Sequence, residues 1–440
     1  MKLFQQMLVA SATLGLLAPI AAQASNVVNL EEMNSYSRSK KANPVKFDSK
    51  TFINNVIDET ANLKGSKDSL EFNNLKFEAG SFSDTTTFDG KAVMAIGAVD
   101  GADNLGSNGH EKVVAATVYQ VNLNTSFTGD DNLYVRLKGG DGWDGAFDQK
   151  TSTYHIEAKD TSNGDDTLFN VDKIWYTFPV GDNFTATVGP KIENYYMLAA
   201  TPSVYKPGAL KAFKLGGNGA AFGASTSVGA GIKYVADNGF AVSTTVNSKG
   251  ADGTSGFLTK EDQNKINTQV AYTADNYHAS VTYSRQKGWN SWSYFATKDL
   301  YTNADSTTVN SDSYALRAWW RPEETGSLPS ISVGYDFMNF DGRTSDNIAE
   351  GSGYFVGLNW ADMFQPDDKI GLAVGQPMKA TKATAGNTLS EVDPFLWELY
   401  YSFRPNDNME VTPAIFGGTD IHADTDDDVF GAVVTTKFKF

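Results

Sequence analysis

The chain has 440 residues, no cysteine and a formal net charge of -16. Without cysteine there is no disulfide, thiolate metal site or cysteine nucleophile. The acidic balance excludes nucleic acid as a partner, because phosphate contacts need a cationic surface.

The first element is an export signal, residues 1–24. Lys2 supplies the positive end, a nearly continuous apolar run covers 7–21, and Ala22-Gln23-Ala24 is a small-x-small cleavage site. Cleavage removes only that one charge, so the mature chain carries -16 - 1 = -17. Residues 25–80 read as a periplasmic segment. Within it, Val56, Leu63, Leu70 and Phe77 recur every seven residues over 52–77. That spacing predicts a short helix with one apolar seam, either a trimeric stalk or a lone helix packed under the barrel.

From residue 81 onward the period changes to two. The alternation predicts about sixteen strands, among them 115–127, 132–138, 173–180, 240–247, 266–273, 277–284, 313–321, 369–376, 394–404, 408–416 and 430–440. Seven pairs of strands meet at short acid-bearing turns, at 128–131, 180–183, 236–239, 274–276, 322–328, 363–368 and 405–408. Longer polar stretches such as 140–168, 192–221, 249–264, 286–312 and 377–393 separate one pair from the next. Short turns at one end and long loops at the other are the wiring of a membrane β-barrel. The fold class expected is therefore all-β: a 16-stranded antiparallel transmembrane β-barrel over 81–440, preceded by a short helical periplasmic segment. The mean hydropathy of -0.34 fits a barrel, where only alternate residues meet lipid.

The final strand ends on Phe440, with Phe438, Thr436, Val434, Ala432 and Phe430 on the same face. Aromatic residues crowd the short-turn ends, as at Phe127, Phe184, Phe240, Tyr272, Tyr277, Trp320 and Phe364, in the manner of an interface girdle.

If the apolar face meets lipid, the other face lines a pore. The bases assigned to it are Arg136, Lys138, Lys173, Lys191, Lys233, Arg317, Arg321, Arg404, Lys437 and Lys439; the acids are Asp336, Glu398 and Glu410. Ten against three is opposite in sign to the whole chain and predicts a lumen that concentrates anions. The loop 192–221 is expected to fold inward and narrow the tube. It would bring Tyr195, Tyr196, Tyr205, Lys206, Lys211 and Lys214 to the constriction against Glu193. The expected function is passive diffusion of small hydrophilic solutes, chiefly inorganic ions. A carbohydrate channel and a structural barrel without conductance are the other readings, which single-channel recording separates.

No catalytic or metal-binding constellation stands out. His110, His155, His278 and His422 are scattered, and the acids at 141–148 and 424–428 do not have calcium-loop spacing. No cofactor is expected.

Several segments carry a family likeness: 82–90; 175–182 with Trp175, Pro179 and Gly181; 188–191; 319–326 with Trp319, Trp320 and Pro322; 356–362 with Gly357 and Trp360; and 371–377 with Gly371, Gly375 and Pro377. In this order they resemble cyanobacterial outer-membrane porins of the OprB-like, carbohydrate-selective type. The resemblance implies a homotrimeric, sixteen-stranded porin in the outer membrane, with lipid and small hydrophilic solutes as its partners. Such porins carry an S-layer-homology domain ahead of the coiled coil. Here 27 residues, 25–51, precede Phe52, so a cell-wall tether through that domain is not expected.

Overall fold

The computed structural model describes residues 85–100, 113–141, 170–217, 219–222, 226–250, 255–289, 297, 300, 310–341, 348–389, 393–420 and 428–440. The export signal and the segment 25–80 with its expected helix lie outside these residues. So do the acidic stretch 424–427 and all of 142–169.

Sixteen strands succeed one another in chain order: β1 Thr86–Asp100, β2 Val114–Thr125, β3 Asn132–Asp141, β4 Asn170–Val180, β5 Phe184–Ile192, β6 Ser227–Val235, β7 Phe240–Ser248 and β8 Asn264–Thr273. The second half comprises β9 Tyr277–Lys287, β10 Asn310–Trp320, β11 Ser330–Asp341, β12 Ile348–Ala361, β13 Lys369–Ala383, β14 Phe395–Asn406, β15 Met409–Thr419 and β16 Val429–Lys439. Each pairs antiparallel with its sequence neighbours, and β1 pairs with β16 to close the barrel. The register runs from Lys91 opposite Lys439 to Asp100 opposite Phe430. Gly90 and Phe440 exchange both backbone hydrogen bonds, at 2.8 and 3.1 Å, so the terminal phenylalanine belongs to the seam itself. Closure leaves no unpaired sheet edge, which is the condition for strands to cross hydrocarbon.

Which face is which is decided by exposure. On β9, His278, Ser280, Thr282, Ser284 and Gln286 are buried, whereas Tyr277, Val281 and Tyr283 are among the exposed large hydrophobics. β7 and β8 repeat the pattern, with Ser243, Thr245, Asn247, Lys265, Asn267 and Gln269 inside and Phe240, Ile266, Val270 and Tyr272 outside. A water-soluble sandwich would invert this arrangement. Replacing Val281, midway along β9, with arginine is expected to cost about 2–4 kcal/mol in refolding from urea into lipid vesicles, the usual penalty for a cation on the lipid face near the bilayer centre. An unchanged unfolding midpoint would contradict the outward assignment.

All seven expected turns are present, and the aromatics beside them pair across the rim: Phe184 with Tyr234 at 4.9 Å, Tyr272 with Tyr277 at 6.1 Å, and Phe364 with Tyr401 at 5.8 Å. Acids build the turns. Asp131 Oδ1 accepts from the Ser126 hydroxyl and from the amides of Phe127 and Thr128, at 2.8–2.9 Å, while Oδ2 accepts from the Tyr176 hydroxyl at 2.6 Å. The Tyr176 bond, with the turn amides, holds this carboxyl well below the usual carboxylate range. A depressed folded value means the turn's contribution is present above the unfolded value near 3.9. It fades as pH falls through the lower folded value. Asp131→Asn is therefore expected to lower the thermal midpoint at pH 7 and to lose less at pH 2, which lies below the unfolded value, so that wild type has already given up part of the turn's contribution. Parallel midpoints at both pH values would refute this.

Candidate functional site

The inner wall has two chemistries. Along β7–β10 it is polar, with Thr245, Asn267, Ser284 and Ser313 in adjacent register positions. Along β12–β16, β1 and β2 many of the inward positions are apolar. Phe355, Ala373, Leu396, Ala414, Phe416, Val433, Val93 and Val118 share one buried cluster. Apolar residues on both faces of a strand need a second layer to cover the inner one. The cluster includes Tyr205, Leu210, Ala212, Phe213 and Ala220, all from the connection between β5 and β6.

That connection, 193–226, contains two one-turn 3-10 segments, Asn194–Met197 and Lys211–Phe213. It is held at three places. At the first, the Glu398 carboxylate on β14 accepts the amides of Gly208, Ala209 and Leu210 at 3.2, 2.9 and 2.7 Å and the Tyr205 hydroxyl at 2.7 Å. Gly208 lies so close to Tyr400 that a Cβ there would sit 2.4 Å from its ring. At the second, Arg317 on β10 pairs with Asp336 on β11 through Nη2 at 2.7 and 2.9 Å. It also donates to the carbonyls of Leu215 at 2.8 Å and Gly217 at 2.6 Å. The chain turns there through left-handed backbone at Leu215, Gly216 and Gly217. The third place is the polar wall. Ser243 and Gln269 bond the backbone of Ala199 and Ala200, Trp319 bonds Thr201 O at 3.0 Å, and Lys265 and Asn267 bond the carbonyls of Ala220 and Ala221 at 2.9 and 2.8 Å.

Where 193–226 leaves β5, an aromatic and basic group forms. The rings of Tyr134 and Trp175 lie 4.6 Å apart, Trp175 and Tyr196 5.3 Å, and Tyr195 and Tyr196 5.1 Å. The Arg136 guanidinium sits over both Tyr134 and Tyr196 at 5.6 and 5.5 Å, donates to the Tyr196 hydroxyl at 2.8 Å and pairs with Asp172 at 3.5 Å. Lys173 forms an ion pair with Glu193, with Asp172 at 3.7 Å. Lys138 and Lys211 lie within electrostatic range of Lys173, and Lys214 stands 4.8 Å over the Tyr195 ring.

Several sequence assignments change here. Arg317 has a fully enclosed side chain and is spent on Asp336 and the loop carbonyls, so it meets no solute. Glu398 is equally enclosed and is a loop anchor, not a pore charge. Lys191 is not inward. A β-bulge between β4 and β5 places it opposite Ile174 on the outer face, exposed, with its ammonium on Val171 O at 2.6 Å. One extra residue reverses every later side chain, which strict alternation could not foresee. Lys233 keeps its inward position, opposite Ser243. Arg321 lies just past β10 at the short-turn rim, bonded to Asp275 O at 2.8 Å and 5.6 Å from the Trp319 ring. Lys206 is exposed, beside Lys369, a base that alternation alone does not reveal because it opens a strand. Arg404, Lys437 and Lys439 surround Glu410 at the same rim.

The sequence model of the carbohydrate-selective porin, OprB family, matches residues 55–440. The chain belongs to the OprB family. An uncharacterized protein of Nostoc is 26% identical over 423 residues, 86% of this chain and 69% of that one. Another from Synechocystis is 24% identical over 379 residues, 79% of this chain and 68% of that one. Among solved structures, OprB of Pseudomonas putida superposes with a TM-score of 0.55 at 12% identity, over 81% of this chain and 94% of that one. OmpF of Salmonella typhi, solved in complex with daunomycin, superposes with a TM-score of 0.52 at 14% identity, over 81% and 97%. As an OprB-family barrel the protein is an outer-membrane porin.

Proposed function

We propose that this porin passes small hydrophilic solutes with a preference for anions, and that 193–226 forms its constriction. The carrying observation is the charge around Tyr195 and Tyr196, where Arg136, Lys138, Lys173, Lys211 and Lys214 gather with the acids Asp172, Glu193 and Asp89. Fixed positive charge in a narrow aqueous tube raises the local anion concentration and lowers that of cations. In this reading the short turns face the periplasm together with residues 25–80, the long loops face outward, and three copies assemble. The test is the reversal potential of the purified full chain in a planar bilayer under a potassium chloride gradient. A potential of the sign set by chloride supports the reading, and one set by potassium rejects it. Mass measurement in detergent tests the homotrimer.

A second reading, neutral sugars, is favoured by the aromatic faces of Tyr134, Trp175 and Tyr196, of which Tyr196 is 41% exposed, and by the family's description. Flat aromatic surface beside an arginine suits a polyhydroxyl ring as well as an anion. Swelling rates of proteoliposomes in isosmotic glucose distinguish the two. Rapid swelling that falls in Tyr196→Ala, with chloride selectivity unchanged, would favour sugars.

A further inference from the structure

A second concentration of charge lies at the short-turn mouth, beside Lys206 in the middle of 193–226. Glu410 on β15 points inward and accepts Lys437 Nζ at 2.9 Å and Lys439 Nζ at 3.3 Å, with Arg404 Nε at 3.9 Å. Arg404 also reaches Asp367 at 3.8 Å. Lys369, which opens β13, lies within electrostatic range of Lys206, Arg404, Lys439 and Glu410. Five bases therefore converge on Glu410 and Asp367; Lys91 stands opposite Lys439 in the register, and Asp362, Asp368 and Asp407 lie in the adjoining turns.

The arrangement is built rather than incidental. Lys206 is set there by its own backbone, whose carbonyl accepts the Tyr400 hydroxyl at 2.6 Å and whose amide donates to Asn359 at 3.4 Å. A register shift in β14 between Phe403 and Asn406 interrupts the pairing at Arg404, the device by which strands re-aim a side chain. The acid is the deeper group. Glu410 is 17% exposed, against 29% for Lys437, 33% for Arg404 and 45% for Lys439. The carboxylate forms a floor from which the cations fan out into water. It keeps them gathered when the mouth is empty and competes with whatever arrives, so that binding stays weak enough for release.

We propose that this cluster is a docking site for multiply charged anions, the chemistry of a phosphate or diphosphate group, placed after the constriction on the route through the barrel. It rests on the anion reading above and narrows it to a class. A monovalent ion cannot satisfy several fixed cations at once, whereas a group with several negative oxygens can bridge them and displace part of Glu410's hold. A neutral sugar offers no such exchange.

Inorganic pyrophosphate tests the site. The chain contains no cysteine, so Asp237→Cys in the β6–β7 turn lets a membrane-impermeant thiol reagent report which compartment the short turns face. Added from that side, pyrophosphate is expected to reduce single-channel current at a concentration about tenfold lower than from the long-loop side, a difference near 1.4 kcal/mol. Nitrate at the same ionic strength should block from neither side. Lys369→Gln and Lys437→Gln should each raise the half-blocking concentration several-fold, and Glu410→Gln should lower it. Two basic positions are used so that the loss of one variant in assembly leaves the other to decide. Block that is equal from both sides, or unmoved in either assembled lysine variant, overturns the site. The potassium chloride reversal potential on the same channels reports the broader anion reading separately.

Discussion

Glu398→Ala is expected to give a channel with a larger and noisier unitary current than wild type, and a barrel that unfolds at lower temperature. Four donors converge on this one carboxylate: three consecutive amides of 193–226 and the Tyr205 hydroxyl. Hydrogen bonds to a charged group contribute about 1.5–3 kcal/mol each, and breaking a buried network by removing one member costs about 3–5 kcal/mol. The alanine also opens a gap under Ala209 and Leu210, where the connection covers the apolar stripe of the wall. The anchoring and the covering are lost together, so the segment no longer has one position. Glu398→Gln should fall between wild type and alanine, since its carboxamide offers one acceptor where two oxygens now serve four donors. Single-channel recording and thermal melts in detergent check this. Wild-type current and midpoint in the alanine variant would remove Glu398 as the anchor.

Asp336→Ala is expected to destabilise the barrel by about 3–5 kcal/mol, because it leaves the Arg317 guanidinium enclosed without its counter-charge. Arg317 is fully enclosed and Asp336 nearly so, and the pair ties β10 to β11 and to the turn at 215–217. Replacing both, as Arg317→Met with Asp336→Leu, should recover part of the loss, since two charges no longer need desolvation. Recovery should be incomplete. The carbonyls of Leu215 and Gly217 would then lack their donor, at about 1–3 kcal/mol for buried groups left unsatisfied. Urea unfolding in lipid vesicles measures all three chains. A double variant less stable than Asp336→Ala would show that the pair contributes more than the burial of its charges costs.

Much of this architecture is written in local sequence. Alternation along β7, β8 and β9 assigns each side chain to lipid or lumen from two residues away, because a strand turns its side chains over at every step. The acidic turns, the length difference between the two sets of connections, and the aromatic terminus are equally local, and from them the strand number, the closure and the lipid-facing surface can be read. The use made of the inward charges cannot. Arg317 and Glu398 look on paper like Arg136 and Glu410, and only the path of 193–226 through the barrel turns the first two into anchors. The partners involved are about 100 and 190 residues away in the chain. The inward apolar positions on β12–β16 are a visible sign that something must cover them, but not of what. Lys191 shows the other limit. A single bulged residue reverses the face, and its presence is fixed by how β4 meets β5 rather than by either strand alone. Period and turn chemistry act over a few residues and determine the wall; the electrostatics of the passage arises from pairings across the lumen, which exist only once the barrel has closed.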